Sequence, residues 1–240
     1  MLSVFGKAKE ILLDILFPPL CSLCRSRLTT GEKERLLCGD CFDAMPINTS
    51  LTCPICKSRL ANNKKTCHKN SAFRLAAATF YENSVAKNLI HQFKYQKTTA
   101  LAKPLAELMF THLKNLNLKL NGYALVPIPL HPARQRERGF NQAELLTDIL
   151  SVKTNLPVIK NSLLRTKNCE PQAATHSLEE RLINIKNSFA IKNPESLAKK
   201  NIILVDDVFT SGATINEAVK ALRQADVQKI IALVGARAGF

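Results

Sequence analysis

The 240-residue chain has no tryptophan, three tyrosines and only 6% aromatic residues, so few side chains are at hand to stack on unpaired bases. Long apolar runs are also missing. No stretch approaches 18 consecutive apolar residues, which excludes a membrane-spanning helix. Acids are scarce, 19 against 34 Lys+Arg, and the formal net charge is +15 with a pI near 9.6. Such an imbalance points to polyanionic partners, of which nucleic acid is the commonest inside cells; a merely basic soluble surface is the alternative. The segment Met1 to Leu16 is apolar, but Lys7, Lys9, Glu10 and Asp14 interrupt it. A signal-peptide core does not tolerate this, so the chain is expected in the cytoplasm.

What is present suffices for a folded protein. Hydrophobic residues at 46% and charged residues at 22% supply a sizeable core and exclude wholesale disorder. The length suits one full domain and a small second module. Composition changes near residue 75, which divides the chain into residues 1–74, rich in cysteine and turn formers, and residues 75–240, where apolar runs alternate with amphipathic patterns. That alternation marks an α/β domain.

In the first module Val4, Phe5, Ala8, Ile11, Leu12 and Ile15 recur at helical spacing and Pro18 stops them, predicting a short helix packed on the body of the protein. In the second, strands are expected at Ala76 to Tyr81, Ala124 to Ile128, Ile202 to Val205 and Ile230 to Val234. Helices are expected at Val85 to Phe93, Ala102 to Leu113, Asn141 to Val152 and Ile215 to Ala225. Ser177 and Glu180 suggest a capping box opening a further helix through about Ile185.

Seven of the eight cysteines fall between Cys21 and Cys67, as Cys21-x-x-Cys24, Cys38-x-x-Cys41, Cys53-x-x-Cys56 and Cys67. A C-x-x-C turn aims both sulfurs at one point, so the first four thiols complete a tetrahedral zinc site. A closed shell leaves no position for substrate, and the zinc is therefore structural. Cys53, Cys56 and Cys67 are one donor short. His68 is the nearest fourth, although adjacent residues seldom both reach one metal; water, another residue or no metal are the alternatives. A redox role for the thiols is a further alternative.

The sharpest motif is the apolar strand Ile202 to Val205 followed by Asp206, Asp207 and the loop Thr210-Ser211-Gly212-Ala213-Thr214, after which a helix begins. Backbone N–H groups, hydroxyls and the positive helix end suit a phosphate monoester. The carboxylates would repel that phosphate unless they faced a ribose diol or its Mg²⁺. No lysine follows Gly212, so this is not a nucleotide P-loop.

These residues resemble the 5-phosphoribosyl-1-pyrophosphate (PRPP) loop of type I phosphoribosyltransferases. The resemblance implies a mostly parallel sheet flanked by helices, with Asp206 and Asp207 on the ribose hydroxyls and Thr210, Ser211, Gly212, Ala213 and Thr214 around the 5-phosphate. Thr210 stands where purine-salvage members carry an Asp, which argues against purine chemistry. The whole layout resembles the ComF family of competence-associated proteins, through His91-Gln92-Phe93-Lys94-Tyr95, Val126 to Leu130, Arg134, Arg138 to Ala143, Pro171-Gln172, Arg181, Asn184 and Phe189. The family usually shows a fourth C-x-x-C where this chain has Cys67 and Asn70.

That resemblance implies a cytoplasmic step in natural transformation that handles incoming single-stranded DNA, with helicase, recombination or other competence proteins as partners. Lys57, Arg59, Lys64, Lys65 and Lys69 on the ribbon, and Arg134, Arg136 and Arg138 after the second strand, are candidates to track a phosphate backbone. Arg134 and Arg138 are equally candidates to clamp pyrophosphate, since the loop expected after that strand should face the ligand crevice. Phe140, Tyr95 and Phe73 are the candidate stacking residues. Two functions follow: a PRPP-type fold that handles DNA, and a true phosphoribosyltransferase with an acceptor still to be found.

Overall fold

The computed structural model describes residues 13–63, 67–68, 70–96, 98–168 and 185–239. The strands are β1 (Arg74–Phe80), β2 (Tyr123–Pro127), β3 (Leu163–Arg165), β4 (Phe189–Ile191), β5 (Asn201–Phe209) and β6 (Ile230–Arg237). The helices are α1 (Gly39–Asp43), α2 (Ser84–Tyr95), α3 (Ala102–Asn115), α4 (Pro132–Arg138), α5 (Gln142–Thr154) and α6 (Ala213–Gln224). Four strands form a parallel sheet in the order β1-β6-β5-β2, and β3 pairs antiparallel with β4. The expected α/β architecture is present. Most of the expected helix through residues 1–15, and the capping box at residues 177–180, lie outside the described residues.

Strand periodicity divides the interior in two. Ala76, Leu125, Ile203, Val205, Ile231 and Leu233 face one side, while Ala77, Val126, Leu204, Ala232 and Val234 face the other. Successive strand residues point to opposite faces, and both faces are covered, which explains why Ile202 to Val205 reads as an unbroken apolar run. On the first side lie α2, α3 and α5, through residues such as Phe93, Leu105, Met109, Leu146 and Leu150. On the second lie α6, through Ile215, Val219 and Leu222, and the β3–β4 pair, through Leu163, Phe189 and Ile191.

The cysteine-rich segment belongs to the first side. Leu28, Leu37, Met45, Leu51 and Leu60 are buried in the same cluster as Ala76 and Ala78. The backbones of Thr52 and Leu75 exchange two hydrogen bonds, and Asn48 donates its N–H to Ala78 and its side-chain amide to Ala77. Residues 48–52 thus cover the open edge of β1, a position where an unpaired strand would invite association.

Two features depart from the expectation. First, β5 does not stop at Val205 but runs on to Phe209, so Asp206 and Asp207 lie within the strand rather than after it. The cause is β6, which continues to pair through Asp206↔Val234, Val208↔Ala236 and Phe209↔Arg237. The unpaired step is Asp207 opposite Gly235, where a Cβ would stand 3.0 Å from the Asp207 carbonyl oxygen and 2.6 Å from Leu105 Cδ1. A glycine is what lets the strands approach there. Second, residues 132–138 form α4 where a loop was expected. His131 caps it, Pro132 opens it and Gly139 closes it at φ +84°, the usual asymmetry of proline at a helix start and glycine just past its end.

A buried histidine ties the edge cover to the core. His112 on α3 is fully buried, its Nδ1 lies 2.5 Å from the Asn48 carbonyl oxygen, and its Nε2 has no partner. Burial lowers its pKa from 6.5 to about 4, despite the opposing hydrogen bond to Asn48. A depressed folded-state pKa means that stability is retained above pH 6.5 and lost as pH falls toward 4, by up to ~3 kcal/mol. His112→Gln keeps a donor for Asn48 without the titration. Urea unfolding at pH 7.5 and pH 5 is expected to show a smaller acid loss in that variant than in the parent protein.

Candidate functional site

The sheet order decides where a ligand fits. Strands β2 and β5 are parallel neighbours, but the helix after β5 packs on one face and α5, which follows β2, packs mainly on the other. A crevice opens at the carboxyl ends of two such strands. It opens here because β2 ends at Pro127, opposite Val205, while β5 continues. The resulting cleft is about 180 Å³ and is lined by Lys94, Tyr95, Arg134, Arg138, Gln142, Arg165, Asn168, Asp206, Asp207, Thr210 and Thr214, among others.

The acidic pair forms its floor. Asp207 is buried and holds Lys94 Nζ at 2.9 Å, and its N–H donates to Asp206 Oδ1 at 2.9 Å. Burial pushes the Asp206 carboxyl up to about 7, and the Asp207 charge adds to this; Lys94, the Asp207 N–H and Arg165 oppose it. Burial alone would lower the Lys94 ammonium, but the charges of Asp207 and Asp206 outweigh it and raise its pKa. Lys94 is thus a member of the site that the motif reading overlooked. Its sequence signal was its place beside Tyr95 in the family-like stretch.

The loop lies beside the acids. Thr210 and Thr214 line the cleft, while Ser211, Gly212 and Ala213 make the turn between them and open α6. Gly212 has φ +79°, and a Cβ on it would meet Phe209 Cζ at 2.6 Å. Only glycine fits that turn.

Cations line the opposite wall. Arg134 and Arg138 sit four residues apart on α4 and share a face, whereas Arg136 falls on the exposed face and does not line the cleft. Arg138 donates to Gln142 Oε1 at 3.1 Å and lies over the Tyr95 ring, 5.9 Å from its centroid. Gln142 Nε2 is buried with no partner. The β3–β4 pair adds Arg165, which stacks over Phe189, and Asn168 follows it. Both were missed in the sequence, where nothing local marks them. Of the aromatic candidates, Phe73 is buried and Phe140 packs on Phe93, which removes both as exposed platforms; Tyr95, 56% exposed, stands at the cleft.

The cysteines gather into two clusters, Cys21/Cys24/Cys38/Cys41 and Cys53/Cys56/Cys67/His68, each with its donor atoms within 4.8 Å of one another. His68 does reach the second cluster, with Nδ1 3.2 Å from Cys67 Sγ and 3.6 Å from Cys53 Sγ. The objection from adjacency is overturned because the chain bends at residues 67–68 and lets neighbours converge. Both turns are built alike. Cys21 N–H bonds to Ser26 O and Cys53 N–H to Ser58 O, while Arg25 and Lys57 take left-handed backbone angles. Cysteine spacing alone does not expose this duplication, but Cys-x-x-Cys-Arg-Ser-Arg-Leu28 against Cys-x-x-Cys-Lys-Ser-Arg-Leu60 does. Hydrogen bonds from Ser26 and Ser58 lower Cys24 and Cys56 to about 6, toward the thiolate that zinc requires.

On the ribbon, Lys57 and Arg59 are exposed, and Lys57 Nζ donates to Gly239 O at 3.1 Å. Lys64, Lys65 and Lys69 lie outside the described residues. No helix among the described residues is long and apolar enough to cross a membrane.

Both parts of the chain are similar to known proteins. Residues 12–70 match the double zinc ribbon domain and residues 136–239 the phosphoribosyl transferase domain, and the two clusters, which fall in the ribbon match, support zinc binding there. A solved glutamine PRPP amidotransferase from Bacillus subtilis aligns with a TM-score of 0.36 at 13% identity, over 55% of this chain and 25% of that one. Competence protein F of Haemophilus influenzae is 36% identical over 59% of this chain and 63% of its own length. DNA utilization protein YhgH of Escherichia coli is 30% identical over 85% of this chain and 91% of its own. Competence protein ComFC of Streptococcus pneumoniae matches equally well, 30% over 85% of this chain and 89% of its own, and with this extent of likeness the chain belongs to the ComF family.

Proposed function

We propose that the protein serves DNA uptake in the cytoplasm, acting on incoming single-stranded DNA, and that its cleft binds PRPP or a closely similar sugar phosphate with Mg²⁺. In this reading residues 1–74 form the zinc-bearing module and residues 75–240 the ligand-binding one. The observation that carries it is the convergence of Asp206, Asp207, Thr210 and Thr214 with Arg134 and Arg138 in one cleft. The acids suit a diol or its metal, the loop a 5-phosphate, and the arginines a pyrophosphate or the DNA backbone. The donor set fits a divalent cation, since Asp207 already holds a cationic group in the form of Lys94. The names of the relatives support the DNA role, and the net charge of +15 is in keeping with it.

A second reading is transfer of the phosphoribosyl group from PRPP to an acceptor, favoured by the phosphoribosyl transferase match over residues 136–239. It requires release of pyrophosphate, which the first reading does not.

Isothermal titration of zinc-replete protein with PRPP and Mg²⁺ is expected to show binding that Asp206→Ala/Asp207→Ala abolishes; no binding by the parent protein would sink the sugar-phosphate site. Fluorescence anisotropy with a labelled single strand is expected to show affinity falling steeply between 50 and 200 mM salt, because several phosphates are neutralised at once. Weak, salt-insensitive binding would count against the DNA role. Each cluster offers four protein donors, so chelation is expected to release two zinc ions per chain and to destabilise the fold, and His68→Ala is expected to hold one zinc fewer; metal analysis and thermal unfolding read both.

A further inference from the structure

Lys94 is the feature of the cleft that the ligand-binding reading leaves unexplained. It projects from the last turn of α2 and ends 2.9 Å from Asp207 Oδ1, on a carboxylate that is only 8% exposed. Asp206 Oδ1 accepts the amide N–H of Asp207, so the Lys94–Asp207 ion pair and a second carboxyl group meet at the position where a diol or a divalent cation is to sit. The cleft is also lined by Gln142, 2% exposed, whose Oε1 is engaged by Arg138 and whose Nε2 has no partner. A buried, unpartnered amide is costly unless a ligand or a movement of the wall completes its bonding.

We propose that Lys94 is a built-in occupant of the cation seat, which a divalent ion must displace, and that this exchange makes the cleft selective for metal-loaded sugar phosphates. The proposal rests on the ligand class assigned above and adds the group that enforces it. Lys94 neutralises Asp207, so while that ion pair stands the floor offers a bare phosphate ester no cation of its own. A divalent cation supplies two charges and replaces Lys94 without leaving Asp207 unpaired. The displaced ammonium, on a side chain 23% exposed, then joins Arg134 and Arg138 in facing the anionic part of the ligand. An anion arriving without metal finds Lys94 still bound to Asp207. A metal-free sugar must break that bond and give nothing in return for the lost charge. Lys94 is thus a positioning and specificity residue.

The experiment uses Mn²⁺ alone, on the full-length, zinc-replete chain. The free-ion signal in electron paramagnetic resonance measures uptake by the parent protein, by Lys94→Met and by Lys94→Met/Asp207→Asn. With the competing charged hydrogen bond removed, Lys94→Met is expected to bind Mn²⁺ at least about tenfold more tightly than the parent, and the double variant is expected to lose that gain. Equal affinity in the parent and Lys94→Met, or no uptake by folded Lys94→Met, overturns the proposal. A measurement on the parent protein needs no substitution: the rate of acylation at Lys94, followed by peptide mass spectrometry, is expected to rise several-fold when Mn²⁺ saturates the site. An unchanged rate overturns the proposal as well. Neither readout contains PRPP or DNA, so failure of those ligands to bind leaves this result distinct.

Discussion

The cleft depends on one inequality of length: β5 pairs with β6 to Phe209 but with β2 only to Val205. Backbone hydrogen bonding on one side keeps Asp206 and Asp207 in a rigid strand, while the missing neighbour on the other side leaves room for a ligand. Gly235 lets β6 stay close at the step occupied by Asp207, so the carboxylates are held from beneath. A loop in the same place would carry them with more freedom and less precision, because loops lack that ladder.

Charge is then distributed around this fixed pair. Burial and mutual repulsion penalise two adjacent carboxylates, and Lys94 with the N–H of Asp207 relieves part of that penalty from within the cleft. Arg165 lowers the Asp206 carboxyl, and Arg134 pairs with Glu137 on its own helix. Arg138 is engaged by Gln142 and Tyr95, and Arg165 by Phe189, contacts that orient guanidinium groups while leaving their charge available to an anion. Acids and bases thus share one cleft on different elements.

The zinc ribbon contributes to the same architecture from the far edge. Its residues 48–52 cover β1, its apolar side chains join the core beneath α3, and Lys57 bonds to the carbonyl of Gly239 just beyond β6. A segment of this size gains little from its own core, so metal held by the ribbon would support the sheet edge as well.

Local chemistry was legible in the sequence. Period-two and period-3.6 patterns located the four sheet strands and α2, α3, α5 and α6 to within a few residues, and the C-x-x-C spacing marked the thiols that the structure gathers into clusters. Proline at the start and glycine past the end of α4 were equally visible signals, though residues 132–138 read as a loop. Other features were decided by tertiary structure: that β5 outruns β2, that Lys94 meets Asp207, that Arg134 and Arg138 face the cleft while Arg136 does not, and that His68 converges with Cys53. Each depends on segments distant in the chain meeting with one register and one helix rotation. Periodicity encodes which face of an element is buried, but not which charge from another element will stand opposite it.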